Sequence, residues 1–229
     1  MIGNHRAKIL RIIGLLLIAV GAFIILQFIY SDIYTGLNQR KLHDRWAREA
    51  SRATSVADST HSASWARETA SATTTAEETT PADNKPMPTT KQRIKIPEKK
   101  PFARIVIPKI GLDAIVVEGA SKEALKLGPG HMEETAYPGE VGNLVISGHR
   151  VTYSRPFYHL DELEKGAPIY IHTTSQKFTY YVVEKKVVKP ADASVIQPTQ
   201  DRTLTLTTCN PLFSARTRLI IVAKMRDGG

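Results

Sequence analysis

The chain has 229 residues, a formal net charge of +9 and a hydrophobic fraction of 42%, enough for one good-sized domain plus appendages. From Pro101 onward the excess falls to about +3, an ordinary surface balance, and no Lys/Arg-rich block is interleaved with aromatics, so a nucleic-acid partner is not supported. The single cysteine, Cys209, excludes an internal disulfide.

Residues Ile12 to Tyr30, "IIGLLLIAVGAFIILQFIY", carry no charge and one polar side chain, Gln27. A helix of about 19 residues, rising about 1.5 Å at each, spans a bilayer's hydrocarbon core. A cleavable signal has a shorter apolar centre and a small-x-small site. This run instead ends on Phe28, Ile29 and Tyr30, which suit an interfacial anchor. An uncleaved transmembrane helix is expected over 12–30. Arg6, Lys8 and Arg11 precede it, and Asp32 is the first charge after it. The positive-inside bias keeps residues 1–11 cytoplasmic and sends the rest outside, giving a single-pass cell-membrane protein.

Residues 31–100 read as an extracellular juxtamembrane segment and flexible linker. Ile33, Leu37, Leu42, Trp46 and Ala50 recur at roughly helical spacing, predicting a short juxtamembrane helix. From Ala53 to Lys100 the composition shifts to Ala, Ser, Thr, Pro and charge, and "WARE" at Trp46 recurs at Trp65. Two copies are a local duplication, not a solenoid. With few large apolar groups this stretch cannot offset its ordering entropy, and disorder is expected. As a coil of about 48 residues it would separate its ends by roughly 40 Å, holding a head above the membrane.

The head, 101–229, contains β-rich runs at "FARIVIP", "AIVVEG", "NLVIS", "PIYIHT", "FTYYVVEKKVV", "TLTLTT" and "RLIIVAK", punctuated by Gly, Pro or charge. Helical signal is confined to Ser121 to Lys126 and Pro156 to Leu163. An all-β fold follows, a sandwich or closed barrel by pattern alone.

Alternation places the thiol. Leu204, Leu206 and Thr208 share one face of their strand, and Thr205, Thr207 and Cys209 the other. Cys209 thus sits opposite the core-facing leucines at the last step before Asn210 and Pro211 stop the strand. An unpaired cysteine in an exported chain on a polar face is a candidate nucleophile, against the ordinary reading of a small buried filler. A thiol needs a base or a positive neighbour to react. Among the seven histidines, His149 alone is delivered by the end of a buried-looking strand, after "NLVIS" and Gly148. His131 and His159 lie in polar stretches with no special setting. Arg218 opens the strand that follows, near Cys209 if the two strands pair antiparallel, and Arg216 is its rival two residues away. An arginine there donates to a carbonyl oxygen that becomes negative during acyl transfer.

"TLTTC", an arginine leading into "LIIVAK", "SGHR" upstream, "GPGH" at 128–131 and "YPGEVGNLVISGHRVTY" at 137–153 together resemble the sortases, cysteine transpeptidases of Gram-positive cell surfaces. Class E is the nearest pattern and class D second. The resemblance implies a closed β-barrel of about eight strands. It also implies His149, Cys209 and Arg218 as the catalytic residues, Arg218 being chosen because it immediately precedes the final apolar strand. Cleavage is expected between Thr and Gly of a C-terminal sorting signal (LAxTG rather than LPxTG) on a surface protein. A thioester then passes to an amine of a peptidoglycan precursor or a pilin. Thr208 and Tyr153 are taken as groove contacts. This chemistry requires no metal or cofactor, and Asp161, Glu162 and Glu164 read as a solvated turn. The competing readings are a membrane-tethered cysteine peptidase using water, and a non-catalytic β-rich surface module.

Overall fold

The computed structural model describes residues 2–68 and 96–226. Its head is a closed barrel of eight strands: β1 (Pro101–Ile107), β2 (Leu112–Glu118), β3 (Gly130–His131), β4 (Gly142–Ser147), β5 (Pro168–His172), β6 (Lys177–Val188), β7 (Arg202–Asn210) and β8 (Thr217–Met225). Around the barrel they run β1-β2-β3-β4-β7-β8-β6-β5, with β5 closing onto β1. The all-β expectation holds. The eighth strand is the two-residue β3, too short to show any alternation. Helix α2 covers only Lys122–Leu125, capped by the Ser121 side chain. The stretch predicted helical after Pro156 contains a single 3-10 turn, Leu160–Glu162.

Period-two burial builds the core. Ile105 and Ile107, Leu144 and Ile146, Ile169 and Ile171, Leu204 and Leu206, and Leu219 and Ile221 all point into the barrel and are buried. Each contributes about 1.5–3 kcal/mol by leaving water. Strand β2 breaks the alternation, because its last five residues are all buried. Its outward-facing Ile115 and Val117 join a second cluster with Ala124 and Leu42, flanked by Trp46 and Leu127.

Leu42 and Trp46 belong to α1 (Ile2–Glu68). This helix includes a stretch apolar and long enough to cross a membrane, mean hydropathy 2.8, with that window wholly unburied. It does not stop at the apolar run. Residues 31–68, read as juxtamembrane segment and linker, continue the same helix, and 69–95 lie outside the described residues. Ala, Arg and Glu, which dilute the apolar content enough to suggest disorder, are also good helix formers.

The helix docks on the barrel through Thr35, Gln39, Leu42 and Trp46, residues one or two turns apart and so on one face. Ile33 and Leu37, expected on the apolar stripe, are 57% and 53% exposed. Gln39 instead fills in for a missing strand. Its Oε1 accepts from Ile115 N–H at 2.8 Å, while Nε2 donates to the carbonyls of Ile115 at 3.0 Å and Leu127 at 2.7 Å. The Ile115 groups lie on the part of β2 that the short β3 leaves uncovered, and Leu127 belongs to the segment between α2 and β3. Gly128 permits the approach, since a Cβ there would lie 2.1 Å from Gln39 Nε2.

Candidate active site

Strands β4 and β7 run parallel in an otherwise mostly antiparallel barrel, with Leu144 opposite Leu204 and Ser147 opposite Thr207. The ladder ends with Gly148 N–H donating to Thr207 O at 3.1 Å. His149 and Cys209 each come two residues after the Ser147–Thr207 pair, so the parallel register carries both to the same outward face. On the other side of Cys209, β7 pairs antiparallel with β8, and Arg218 is the direct partner of Cys209. The three residues expected from sequence are therefore brought to one rim, with the thiol in the middle. Arg216 precedes β8 and is exposed, whereas Arg218 is half-buried within the strand.

His149 is half-buried, and its Nε2 is buried without a hydrogen-bond partner among the described residues. Burial pushes the imidazole below its ordinary 6.5, favouring the neutral ring. A neutral imidazole can accept a proton from a thiol. The ring of Tyr153 packs 5.1 Å away, tilted by 40°. Gly148 is required here because a Cβ would meet the Phe157 ring at 2.6 Å. Phe157 is fully buried, and its N–H donates to His149 O at 3.1 Å, which anchors the turn that carries the imidazole.

Arg218 is held by its own turn, Nη1 donating to the carbonyls of Ala215 and Thr217 at 3.1 Å each. It lines a cleft of about 270 Å³ together with Ser147, Thr207, Met132 and the apolar side chains of Val188, Val195 and Ile196. Ser147 and Thr207 lie one step up the same face from His149 and Cys209. The cleft therefore lies beside the face that carries the thiol, and Arg218 is the one of the three expected residues that lines it.

Two expectations change. Thr208 is 3% exposed, and its Oγ1 donates to Gly148 O at 2.7 Å on the barrel's inner side. A side chain so placed faces no groove, as its parity with Leu204 and Leu206 already implied. Asp161 is not merely solvated, because it pairs with Arg150 Nη2 at 2.9 Å. Tyr153 stands beside His149, and it also lines two clefts whose other walls include Thr35, Gly36, Gln27 and Phe28 of α1.

His131, whose sequence surroundings show no special setting, is fully buried. Its Nδ1 lies 3.1 Å from both carboxylate oxygens of Glu118, and its ring stacks on Phe102 at 4.1 Å. The signal available was its place in "GPGH": Gly128 admits Gln39, and a Cβ on Gly130 would meet Gly119 O at 2.2 Å. Sequence reasoning also left out Arg150, Asn210 and Thr217, neighbours in sequence of the three expected catalytic residues. Arg150 is 4% exposed, and its Nη1 donates to Asn210 Oδ1 at 2.7 Å.

A closed barrel carrying thiol, imidazole and guanidinium on one rim defines the class of cysteine-dependent acyl-transfer enzymes. The comparisons are specific. Residues 105–226 match the sortase domain model, and the chain belongs to the sortase family of cysteine transpeptidases. It is 36% identical over 140 residues to sortase SrtE1 of Streptomyces coelicolor, covering 54% of this chain and 40% of that protein. To sortase D of Bacillus subtilis it is 38% identical over 122 residues, 52% of this chain and 60% of that one. The chain thus spans less than two thirds of the length of these curated relatives. Sortase E of Streptomyces avermitilis superposes with a TM-score of 0.54 at 35% identity, over 58% of this chain and 91% of that one. A Clostridium perfringens sortase D5 transpeptidase gives 0.54 at 34%, over 57% and 82%.

Proposed function

We propose that this chain is a membrane-anchored sortase that cuts a C-terminal sorting signal between Thr and Gly and transfers the upstream protein to a cell-envelope amine. The observation that carries the reading is the register that sets Cys209 between His149 and Arg218 on one outward face. Cys209 Sγ gives up its proton to His149 and attacks the Thr carbonyl. The oxygen that becomes negative is stabilised by the Arg218 guanidinium. His149 returns the proton to the departing Gly amine as the C–N bond breaks, leaving a thioester on Cys209. An incoming amine then loses its proton to His149, attacks the thioester and releases the thiol.

Similarity to class E enzymes supports a Leu-Ala-x-Thr-Gly signal over Leu-Pro-x-Thr-Gly, and a peptidoglycan precursor or pilin amine as acceptor. A Clostridium perfringens sortase C is known in complex with the C-terminal cell wall sorting motif, which supports the same substrate class here. The apolar part of α1 supports a single-pass anchor, and the charge bias before it supports a cytoplasmic N-terminus with the barrel outside.

The test is turnover of LAxTG and LPxTG peptides by the full chain in nanodiscs, with hydroxylamine or an amine as acceptor. New amide or hydroxamate is expected, together with a peptidyl adduct by intact mass that disappears in Cys209→Ala. Exclusive release of the free acid at every acceptor concentration would reassign the protein as a peptidase. Absence of any adduct would remove the catalytic reading.

A further inference from the structure

The three proposed catalytic residues occupy the outer side of the barrel rim. Directly behind them, on the inner side, lies a second row made of their sequence neighbours. Arg150 follows His149, Asn210 follows Cys209, and Thr217 precedes Arg218. Arg150 Nη1 donates to Asn210 Oδ1 at 2.7 Å, and Nη2 pairs with Asp161 Oδ1 at 2.9 Å. Asn210 Nδ2 donates to Thr217 Oγ1 at 3.0 Å, and that hydroxyl donates to Asn210 O at 2.8 Å. We propose that Arg150, Asn210 and Thr217 are positioning residues that hold the imidazole of His149 in register with the thiol of Cys209 during acyl transfer, an assignment that rests on the transpeptidase reading above.

The β4–β7 ladder alone does not fix that register. Pairing between β4 and β7 ends at Ser147 and Thr207, and the last backbone bond between them is Gly148 N–H to Thr207 O. His149 lies beyond it. Two side-chain bonds flank the His149–Cys209 pair instead: Thr208 Oγ1 to Gly148 O one residue before, and Arg150 to Asn210 one residue after. The amide of Asn210 is used at both ends, its oxygen by a cation and its nitrogen by a hydroxyl, so a flipped amide would break both contacts. Register also makes Asn210 the direct partner of Thr217, as Cys209 is of Arg218. The row therefore ties all three strands that carry the outer residues.

A guanidinium 3% exposed is a costly way to close a barrel end, and Arg150 Nε is buried with no partner among the described residues. Only the arginine side of its ion pair is buried, since the Asp161 side chain is 51% exposed, and a hydrophobic residue of similar volume would often match such a pair in stability. What Arg150 supplies instead is a planar fork that reaches Asn210 and Asp161 at once and fixes direction on both.

The experiment measures steady-state turnover by the full chain in nanodiscs, using the sorting-signal peptide with a saturating amine. The variants are Arg150→Gln, Arg150→Lys, Asn210→Ala, Asn210→Asp and Thr217→Val. Misplacing a reacting group by about an ångström costs up to about a hundredfold. Asn210→Ala and Arg150→Gln are therefore expected to lower kcat by about tenfold to a hundredfold, with KM within about twofold of the parent. Asn210→Asp keeps the acceptor for Arg150 and is expected to recover most of the loss. The Arg150→Gln/Asn210→Ala double variant should be no slower than the worse single one, because both break the same contact.

Thermal melts monitor folding. Should Arg150→Gln fail to fold, the less buried Asn210 and Thr217 variants carry the test. A folded Asn210→Ala with unchanged kcat would overturn the proposal, as would a loss confined to KM or an Asn210→Asp no better than Ala. Parent protein that forms no peptidyl adduct would instead refute the underlying activity.

Discussion

Gln39 gives the sharpest test of how helix α1 meets the barrel. Replacing it by alanine removes one acceptor for Ile115 N–H and one donor shared by the carbonyls of Ile115 and Leu127. Each such bond contributes about 1 kcal/mol net, so docking should weaken by about 3 kcal/mol, a factor of about a hundred in the local opening equilibrium. Leu42, 4% exposed, and Trp46 remain to hold the helix face on the second cluster. The barrel should therefore stay folded while the contact opens more often. Amide hydrogen exchange on the full chain reads this at one atom. Protection of the Ile115 N–H is expected to fall by about two decades, with the Leu144 and Leu206 amides unchanged. Gly128→Val reaches the same end from the other side, since a Cβ at that position cannot coexist with the Gln39 amide. If Ile115 protection in Gln39→Ala stays within about threefold of the parent, some other group pairs β2 and the docking argument is wrong.

Arg218→Lys should cut kcat/KM by about a hundredfold, because an ammonium lacks the planar fork, while Arg216→Lys should leave it near the parent value. His149 should titrate below 6.5 by NMR, its depressed value arising from burial. The sign follows: the unfolded chain binds that proton first, so stability is lost as pH falls from 6.5 through the folded value and does not change above it. A titration midpoint above 6.5 would contradict the burial argument. Glu118→Ala should leave His131 Nδ1 buried without its carboxylate and cost about 1–3 kcal/mol, seen as a melting temperature roughly 5–10 °C lower. Glu118→Gln, which keeps an acceptor, should lose clearly less.

The legible parts of this molecule were those where side-chain pattern and backbone geometry coincide. Alternation at Leu204, Leu206 and Cys209 sorted the two faces of β7 correctly, and the register of Arg218 follows once β7 and β8 are paired. Hidden from sequence were contacts made by side chains standing in for backbone. Gln39 acts as a strand partner, and a polar residue on a helix reads as solvent-facing until its acceptors are known. Arg150 is similar, because arginine is rarely buried and a charged residue beside a histidine suggests a surface loop. The docking stripe was half visible: Leu42 and Trp46 marked it, while Thr35 and Gln39 replaced the expected Ile33 and Leu37.

Topology explains how the thiol, imidazole and guanidinium reach one rim. In an antiparallel pair the C-terminal ends of two strands emerge at opposite rims, so two C-terminal ends cannot meet there. The parallel pairing of β4 with β7 brings two C-terminal ends to one rim, releasing His149 and Cys209 side by side. The antiparallel β8 starts at that same rim and delivers Arg218 from its first turns of strand. Parallel neighbours need a long crossover, which here comprises residues 148–167, the β5–β6 hairpin and the segment 189–201. That segment also walls the cleft beside Arg218, through Val195 and Ile196. The connection required to make the strands parallel is thus the connection that walls the cleft beside Arg218. Shortening it should damage substrate binding before it damages the barrel, and deletion within 189–194 read as KM against melting temperature decides between the two.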